Sequence, residues 1–255
     1  MINVGLIGYG KAGRAVANVL ANDPLYALKW VLRKSAKTHD RVEDHPQIPI
    51  RCTSDIAMDE WLDRYPVDAV VDFSDAQTMR IHGSTFARRG VIILTAISNY
   101  DDNGMRHLRE LGNHTRVLCS PNITLGINFL MMAAKLLRSI APFADVEVIE
   151  QHFRDKPEVS GTARKLAQSL QIENEKITSL RLGGIVGHHE VIFGFPHQTV
   201  RIIHESIRRE AFGTGAAFAL AQLIDQPVGF YTFEELLEKL IRAQLVGQNV
   251  EQAPA

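Results

Sequence analysis

Cysteine is scarce in this chain: two in 255 residues, Cys52 and Cys119, with no Cys-x-x-Cys and no Cys/His spacing that would hold zinc. They read as reduced, buried thiols of a cytoplasmic protein. An excess of one charge is also lacking. The 28 Lys and Arg against 29 Asp and Glu leave a net charge of -1, so nothing advertises nucleic acid or an anionic membrane surface as partner. No apolar run approaches the ~18 residues of a membrane span. No basic segment with an apolar core opens the chain, because Met1 leads directly into a strand-like run. Repeats and low-complexity tracts are missing, and only residues 247–255 read as a loose tail. What remains is an ordinary globular composition, 45% hydrophobic and 22% charged, long enough for one large or two small domains.

The first half alternates short apolar runs with amphipathic stretches. Strands are expected at 3–7, 28–32, 69–73, 91–95 and 116–119, and helices at 11–20, 59–65, 76–89 and 102–111. Continuous Val/Ile/Leu strands separated by helices indicate an α/β fold, a Rossmann-type doubly wound parallel sheet. The second half changes character. A helix at 126–140 precedes a strand at 146–150, a helix at 163–170, and strand-like runs at 179–186, 190–193 and 199–205. This predicts an inserted α+β domain with a mixed sheet. Helices at 210–223 and 232–245 close the chain, the second opened by a capping box of Thr232 and Glu235. The expected organisation is a dinucleotide-binding domain over 1–125, a substrate-binding and oligomerisation domain over 126–209, and C-terminal helices over 210–255 that return to the first.

Gly8-Tyr9-Gly10-Lys11-Ala12-Gly13 follows the first strand and opens a helix. That is the context a dinucleotide fingerprint requires. Gly8 permits the turn, Gly10 the approach of a pyrophosphate, and Gly13 close packing of helix on strand. The helix N-terminus offers N–H groups and positive dipole to phosphate. About 20 residues further on, where an NAD site usually carries an acid, stand Arg33, Lys34 and Ser35. Two cations and a hydroxyl suit a 2′-phosphate, so NADP is the preferred cofactor, with NAD possible. Lys11 and Arg14 could add phosphate contacts or simply face water.

The densest chemistry lies in residues 150–162. His152 can give or take a proton near neutral pH. Lys156 can protonate a developing amine or hold a carboxylate. Ser160, Gly161 and Thr162 offer backbone N–H groups and hydroxyls just before a helix, a cradle for a carboxylate. Elsewhere, His188 and His189 are adjacent on a strand and point to opposite faces, which argues against one metal ion held by both. No metal site is expected. His107 and His114 read as solvated. Arg208 and Arg209 either steer an acidic ligand or form a surface ion pair.

In these segments the chain resembles the dihydrodipicolinate reductase (4-hydroxy-tetrahydrodipicolinate reductase) family of bacterial lysine and diaminopimelate biosynthesis, over nearly its whole length. The matching residues are Gly8 to Gly13; Asp72-Phe73-Ser74; Asn122 to Gly126; Glu150, His152, Lys156, Ser160, Gly161, Thr162 and Ala163; Gly184 to His189; and Arg209 with Phe212 to Gly215. The resemblance implies reduction of a small, acidic cyclic imine by NAD(P)H, in a homotetramer. It implies His152 as proton donor or shuttle, Lys156 as catalytic lysine, and Ser160, Gly161 and Thr162 as substrate-carboxylate loop. It places Tyr9, Lys11, Ala12, Phe73, Thr95, Ile97, Ser120 and Asn122 with Gly8, Gly10, Gly13, Arg33 and Lys34 at the cofactor. Three positions depart from the pattern. Phe153, counted with the substrate-binding residues, stands where the family has a second His. Lys156-Pro157-Glu158-Val159 compresses a longer segment. Thr95-Ala96-Ile97-Ser98 replaces a Gly-Thr-Thr-Gly turn.

Three readings therefore stand: the biosynthetic reductase; an NAD(P)H-dependent reductase of another cyclic imine or enamine on the same scaffold, favoured by Phe153 and Ile97; and a nucleotide-binding protein without turnover. Retention of both His152 and Lys156 speaks against the third.

Overall fold

The computed structural model describes residues 1–37 and 40–245, so the tail expected at 247–255 lies outside the described residues. The chain divides into two compact units, Met1–Ile123 with Phe212–Ala255, and Thr124–Ala211. In chain order the first unit begins with β1 (Ile2–Ile7), α1 (Lys11–Asn22), β2 (Tyr26–Arg33), β3 (Arg41–Val42), β4 (His45–Cys52) and α2 (Met58–Arg64). It continues with β5 (Ala69–Asp72), α3 (Ala76–Arg88), β6 (Ile92–Thr95), α4 (Asp102–Leu111) and β7 (Arg116–Cys119). The second unit holds α5 (Leu125–Ile140), β8 (Asp145–His152), α6 (Gly161–Leu170), β9 (Ile177–Arg181), β10 (Gly187–Phe195) and β11 (Gln198–Ser206). α7 (Glu210–Leu223), β12 (Gly229–Tyr231) and α8 (Phe233–Leu245) complete the described chain.

In the first unit the described strands form an eight-stranded sheet in the order β12-β7-β6-β5-β1-β2-β4-β3. It is parallel except for the short β3 against β4. β5 and β6 are buried at every residue, as continuous apolar runs covered on both faces must be. Trp30, Phe86, Ile93 and Leu108 fill the core on one side. Because β1 lies between β2 and β5, the strand order reverses there. A ligand crevice is expected at the carboxyl ends of β1 and β5.

Three strands, β3, β4 and β12, have no counterpart in the sequence reading. β4 contains Pro46 and Pro49, which cannot donate to a ladder and so mask a strand. It lies one strand from the edge, beside a β3 of only two residues. β12 is three residues long and pairs with β7 alone. The strand expected over 179–186 ends instead at Arg181, because Gly183 turns the chain in the left-handed region at φ 48°. The Thr232/Glu235 capping box is present: Glu235 N–H donates to Thr232 Oγ1 at 3.2 Å, and Thr232 N–H to Glu235 Oε2 at 2.7 Å.

The second unit is a four-stranded mixed sheet, β11-β10-β8-β9, with β8 and β9 parallel around α6. One face packs on α5 and α6 through Val148, Val191, Phe193, Leu130 and Leu166. Side chains alternate along a strand. Register places His189 opposite Glu150 on β8 and opposite His204 on β11, so all three share the face of Val148 and Val191. His188 pairs with Gln151 and Glu205 on the other face. The two adjacent histidines do point apart.

Candidate active site

The first unit holds a cleft of about 500 Å³ at the carboxyl ends of β1, β2 and β5. It is lined by the Gly8-Tyr9-Gly10 turn, Arg33-Lys34-Ser35 and Phe73-Ser74-Asp75. Gly8 adopts φ 96°, and a Cβ there would stand 2.5 Å from the Phe73 backbone. A Cβ on Gly13 would stand 2.1 Å from the Gly8 carbonyl oxygen. Gly10 differs: a Cβ there would meet no protein atom within 4 Å. The fold itself does not require glycine at position 10, whereas a phosphate group approaching the backbone would. No side chain caps α1, so the first-turn N–H groups remain available to an anion. The residues present fit a dinucleotide.

Asp75 lines the cleft, and Asp72 lies buried next to the lining residues Phe73 and Ser74. Asp75 caps α3, accepting from Gln77 N–H at 2.8 Å, and pairs with Lys34 Nζ at 2.8 Å. That pairing holds its pKa below the usual carboxylate range. Asp72 is buried and accepts the N–H of Ser74 at 2.9 Å and its hydroxyl. Burial raises its pKa to about 7, against the pull of those bonds and with the like charge of Asp75 adding. Ser74 and Thr78, bonded to each other through their hydroxyls, both line the cleft.

In the second unit the proton chemistry gathers around one buried carboxylate. Glu150 bonds His152 Nδ1 through Oε2 at 2.5 Å. It accepts Ser160 N–H at 3.2 Å and the Ser179 hydroxyl at 2.8 Å through Oε1. Arg181 grips it with both ends, Nη1 to Oε2 at 3.0 Å and Nη2 to Oε1 at 2.8 Å. Burial opposes ionisation, but Arg181, Ser179 and His152 together bring the Glu150 pKa down to about 2. An ionised carboxylate only accepts, so Nδ1 of His152 carries the proton and Nε2 holds the lone pair. Burial lowers the His152 pKa; Glu150 raises it, and the charges of Lys156 and Arg181 lower it further. His189 lies edge-on to His152, with ring centroids 5.3 Å apart, and its Nε2 is 2.8 Å from Ser160 Oγ. Burial drives the His189 pKa to about 3, so this ring stays neutral.

Of the residues expected at the cofactor, Gly8, Tyr9, Gly10, Arg33, Lys34 and Phe73 line the cleft, while Lys11, Ala12, Gly13, Thr95, Ile97, Ser120 and Asn122 are not among its lining. Thr95 is buried and bonded to the Tyr100 hydroxyl at 2.9 Å, and Ile97 is buried. Arg14 packs over the Tyr9 ring and pairs with Glu43. His107 is tied to the Met79 carbonyl at 3.1 Å rather than fully solvated. Of the substrate-side residues, His152 and Ser160 join the Glu150 network, and Lys156 acts on His152 through its charge. Gly161 opens α6 with free space where a Cβ would be, and Phe153 lies exposed at the start of the loop. Sequence reasoning missed Arg181, Ser179 and Asp75, common residues with no motif around them, and read Asp72 as part of Asp72-Phe73-Ser74 but not as a buried acid.

The Dihydrodipicolinate reductase, N-terminus family model matches residues 2–123, and the Dihydrodipicolinate reductase, C-terminus model residues 122–237. A 4-hydroxy-tetrahydrodipicolinate reductase of Caldanaerobacter subterraneus subsp. tengcongensis is 30% identical over 194 residues, spanning 68% of this chain and 77% of its own. One of Thermosipho africanus is 28% identical over 239 residues, spanning 92% of this chain and 97% of its own. Among solved structures, dipicolinate-bound dihydrodipicolinate reductase from Paenisporosarcina sp. TG-14 matches with a TM-score of 0.75 at 22% identity, over 91% of this chain and 97% of that one. A myo-inositol dehydrogenase from Corynebacterium glutamicum matches at 0.62 and 13% identity, over 100% of each chain. With one family model on each half, meeting at residues 122–123, the chain belongs to the dihydrodipicolinate reductase family.

Proposed function

We propose that this chain reduces 4-hydroxy-tetrahydrodipicolinate to tetrahydrodipicolinate with NAD(P)H, in lysine and diaminopimelate biosynthesis. The observation that carries the reading is the Glu150–His152 pair with the Lys156 charge acting on the same imidazole, in a chain that also builds a dinucleotide cleft. The reaction adds one hydride and one proton to the ring and releases water. Bound dinucleotide supplies the hydride. Gly8, Gly10 and the start of α1 hold its phosphates, and Arg33 and Lys34 favour a 2′-phosphate, hence NADP(H) over NAD(H).

The protein supplies the proton. His152 is neutral at working pH, so its Nε2 accepts rather than gives. The Lys156 ammonium is then the group that protonates the ring-nitrogen side, and His152 shuttles a proton back to it. The N–H groups at the start of α6, at Gly161 and Thr162, hold a substrate carboxylate. Ser160 gives its own N–H to Glu150 and bonds His189, so it acts by fixing that helix start. Exposed Phe129, Leu136, Ile140 and Phe143 in the second unit supply apolar surface for a homotetramer. The two buried cysteines suit a reducing cytoplasm. Among the described residues no helix is long and apolar enough to cross a membrane.

The test is NADPH consumption by the purified protein with freshly generated 4-hydroxy-tetrahydrodipicolinate, beside simple cyclic imines, with sedimentation to give the oligomeric state. A second reading, reduction of a less acidic cyclic imine, is favoured by Phe153, where the family carries a histidine. Phe153→His separates the two. It raises kcat/KM for the dicarboxylate if that is the substrate. It lowers kcat/KM for a neutral imine, at roughly 1–3 kcal/mol, if the pocket is apolar.

A further inference from the structure

Arg181 ends β9 and reaches across β8 into the loop that carries Lys156. Its five donor bonds have a pattern. Nη1 and Nη2 clamp the two oxygens of Glu150 at 3.0 and 2.8 Å. Nε donates to the carbonyl oxygen of Lys156 itself at 3.1 Å, and Nη2 also to the carbonyl oxygen of Glu158 at 2.7 Å. Nη1 closes on the carbonyl oxygen of Leu180 at 2.9 Å. One rigid, planar guanidinium therefore ties the carboxylate that orients His152 to the backbone of Lys156 and of the residue two positions before Ser160. Glu150 does not need a cation to be satisfied, since His152, Ser160 N–H and Ser179 already donate to it. Holding a partly buried arginine merely to complete that shell is a weak source of stability. What the guanidinium adds is a fixed spacing between two proton-carrying groups and a positive charge against Glu150.

We propose that Arg181 is a positioning residue for proton transfer: it sets the placement of the Lys156 segment relative to the His152 ring and cancels the field of Glu150 on that ring. The inference rests on the proposed roles of His152 and Lys156. The charged and titratable groups around His152 are Glu150 on its own strand, Lys156 on the loop, Arg181 on β9 and His189 on β10, with His204 on β11 beyond His189. His189 stays neutral, so the balance at His152 is one negative charge against two positive. Removing Arg181 leaves one against one and strengthens the pull of Glu150 for a protonated imidazole. A purely structural Arg181 would move none of this once the protein is folded.

The experiment compares wild type, Arg181→Gln and Arg181→Lys as full chains. It reads kcat and KM, NADPH affinity, thermal stability, and the pH titration of the His152 ring protons by NMR, assigned with His152→Gln. In Arg181→Gln, kcat should fall by ~100-fold with a smaller change in KM and unchanged NADPH affinity, and the His152 pKa should rise by about 1. Arg181→Lys keeps the charge but cannot span Glu150 and two carbonyls. The His152 pKa should then stay near the wild-type value while kcat remains lowered by ~10-fold. A folded Arg181→Gln with wild-type kcat and an unmoved His152 titration overturns the proposal. If that variant does not fold, Arg181→Lys decides: wild-type kcat there overturns positioning. Should wild type fail to turn over the dicarboxylate, the functional reading falls. The His152 titration, which needs no substrate, still passes or fails the claim about Arg181.

Discussion

The cleft of the first unit presents backbone to its ligand, whereas the chemical face of the second unit presents side chains held by other side chains. Around the Gly8–Gly13 turn the polar partners are N–H groups at the start of α1, and the nearby cations stand on an open rim. Around Glu150, five donors from β8, β9 and the following loop converge on one buried carboxylate, and a second ring of contacts reaches His189 on β10. The difference follows from the task. A pyrophosphate carries its own charge and needs only oriented dipoles. A proton donor must have its position and its proton affinity set by the protein, which takes fixed charges in a water-poor setting.

The largest expected difference between the two units lies at Lys156. Lys156→Ala removes the proposed donor and leaves the Gly8–Gly13 turn, Arg33 and Lys34 as they are, so kcat should fall ~10²–10⁴-fold while NADPH affinity measured by fluorescence titration stays put. Wild-type turnover would mean that the second unit carries no proton chemistry at this position.

Within the first unit, two glycines should separate fold from ligand. Gly13→Ala places a methyl 2.1 Å from the Gly8 carbonyl oxygen. It should cost roughly 1–3 kcal/mol of stability as α1 is pushed off the turn. Gly10→Ala meets no protein atom within 4 Å, so melting should be unchanged while dinucleotide affinity drops by about tenfold or more. Equal melting shifts, or a Gly10→Ala variant that binds as wild type, would remove the idea that a ligand imposes this glycine.

The same contrast explains what the sequence disclosed. The Gly8–Gly13 turn is contiguous, six residues directly after a strand, and the parallel sheet announces itself in runs such as Ile92–Thr95. Helix ends set by local chemistry, such as Thr232 with Glu235, were equally legible. The Glu150 network was not. Arg181 lies 31 residues from Glu150 and His189 lies 29 from Ser160, so only strand register brings them together. Asp72 was legible as part of Asp-Phe-Ser but not as a buried acid, since burial is a property of the finished sheet. β4 was hidden because two prolines argue locally against a strand that its neighbours nonetheless complete.

Among the described residues, Asp72 is the one acid of the first unit whose pKa is raised by burial, opposite in sense to Glu150. Below about pH 4 it is protonated in both folded and unfolded chains. As pH rises toward 7 the unfolded chain ionises first, so the stability tied to Asp72 is lost through that window. Glu150 does the reverse, losing its contribution as pH falls from 4.5 toward 2. Histidines with lowered pKa values, His82 and His152 among them, also destabilise on acidification below 6.5, so the wild-type curve mixes both signs. The difference between wild type and Asp72→Asn isolates the acid. The variant should gain on wild type between pH 5 and 8, on the order of 1–3 kcal/mol in urea unfolding. A pH-independent difference would mean that Asp72 is charged throughout and held by Ser74.

The smallest expected effect lies on the rim of the cleft, where charge rather than burial decides. Lys34 is 84% exposed and paired with Asp75. A 2′-phosphate must therefore compete with a carboxylate for the same ammonium and also approach that carboxylate. An exposed pair of this kind is worth about 0–1 kcal/mol. Asp75→Asn keeps the cap on α3, because asparagine accepts from Gln77 N–H as well as aspartate does, but removes the competing charge. The ratio of NADPH to NADH affinity should rise by about 3- to 5-fold at low salt. The gain should shrink at high ionic strength, where exposed charges are screened. Lys34→Ala in the Asp75→Asn background should cancel it. If the ratio does not move, the rim cations play no part in choosing the cofactor, and the backbone turn alone accounts for binding in the first unit.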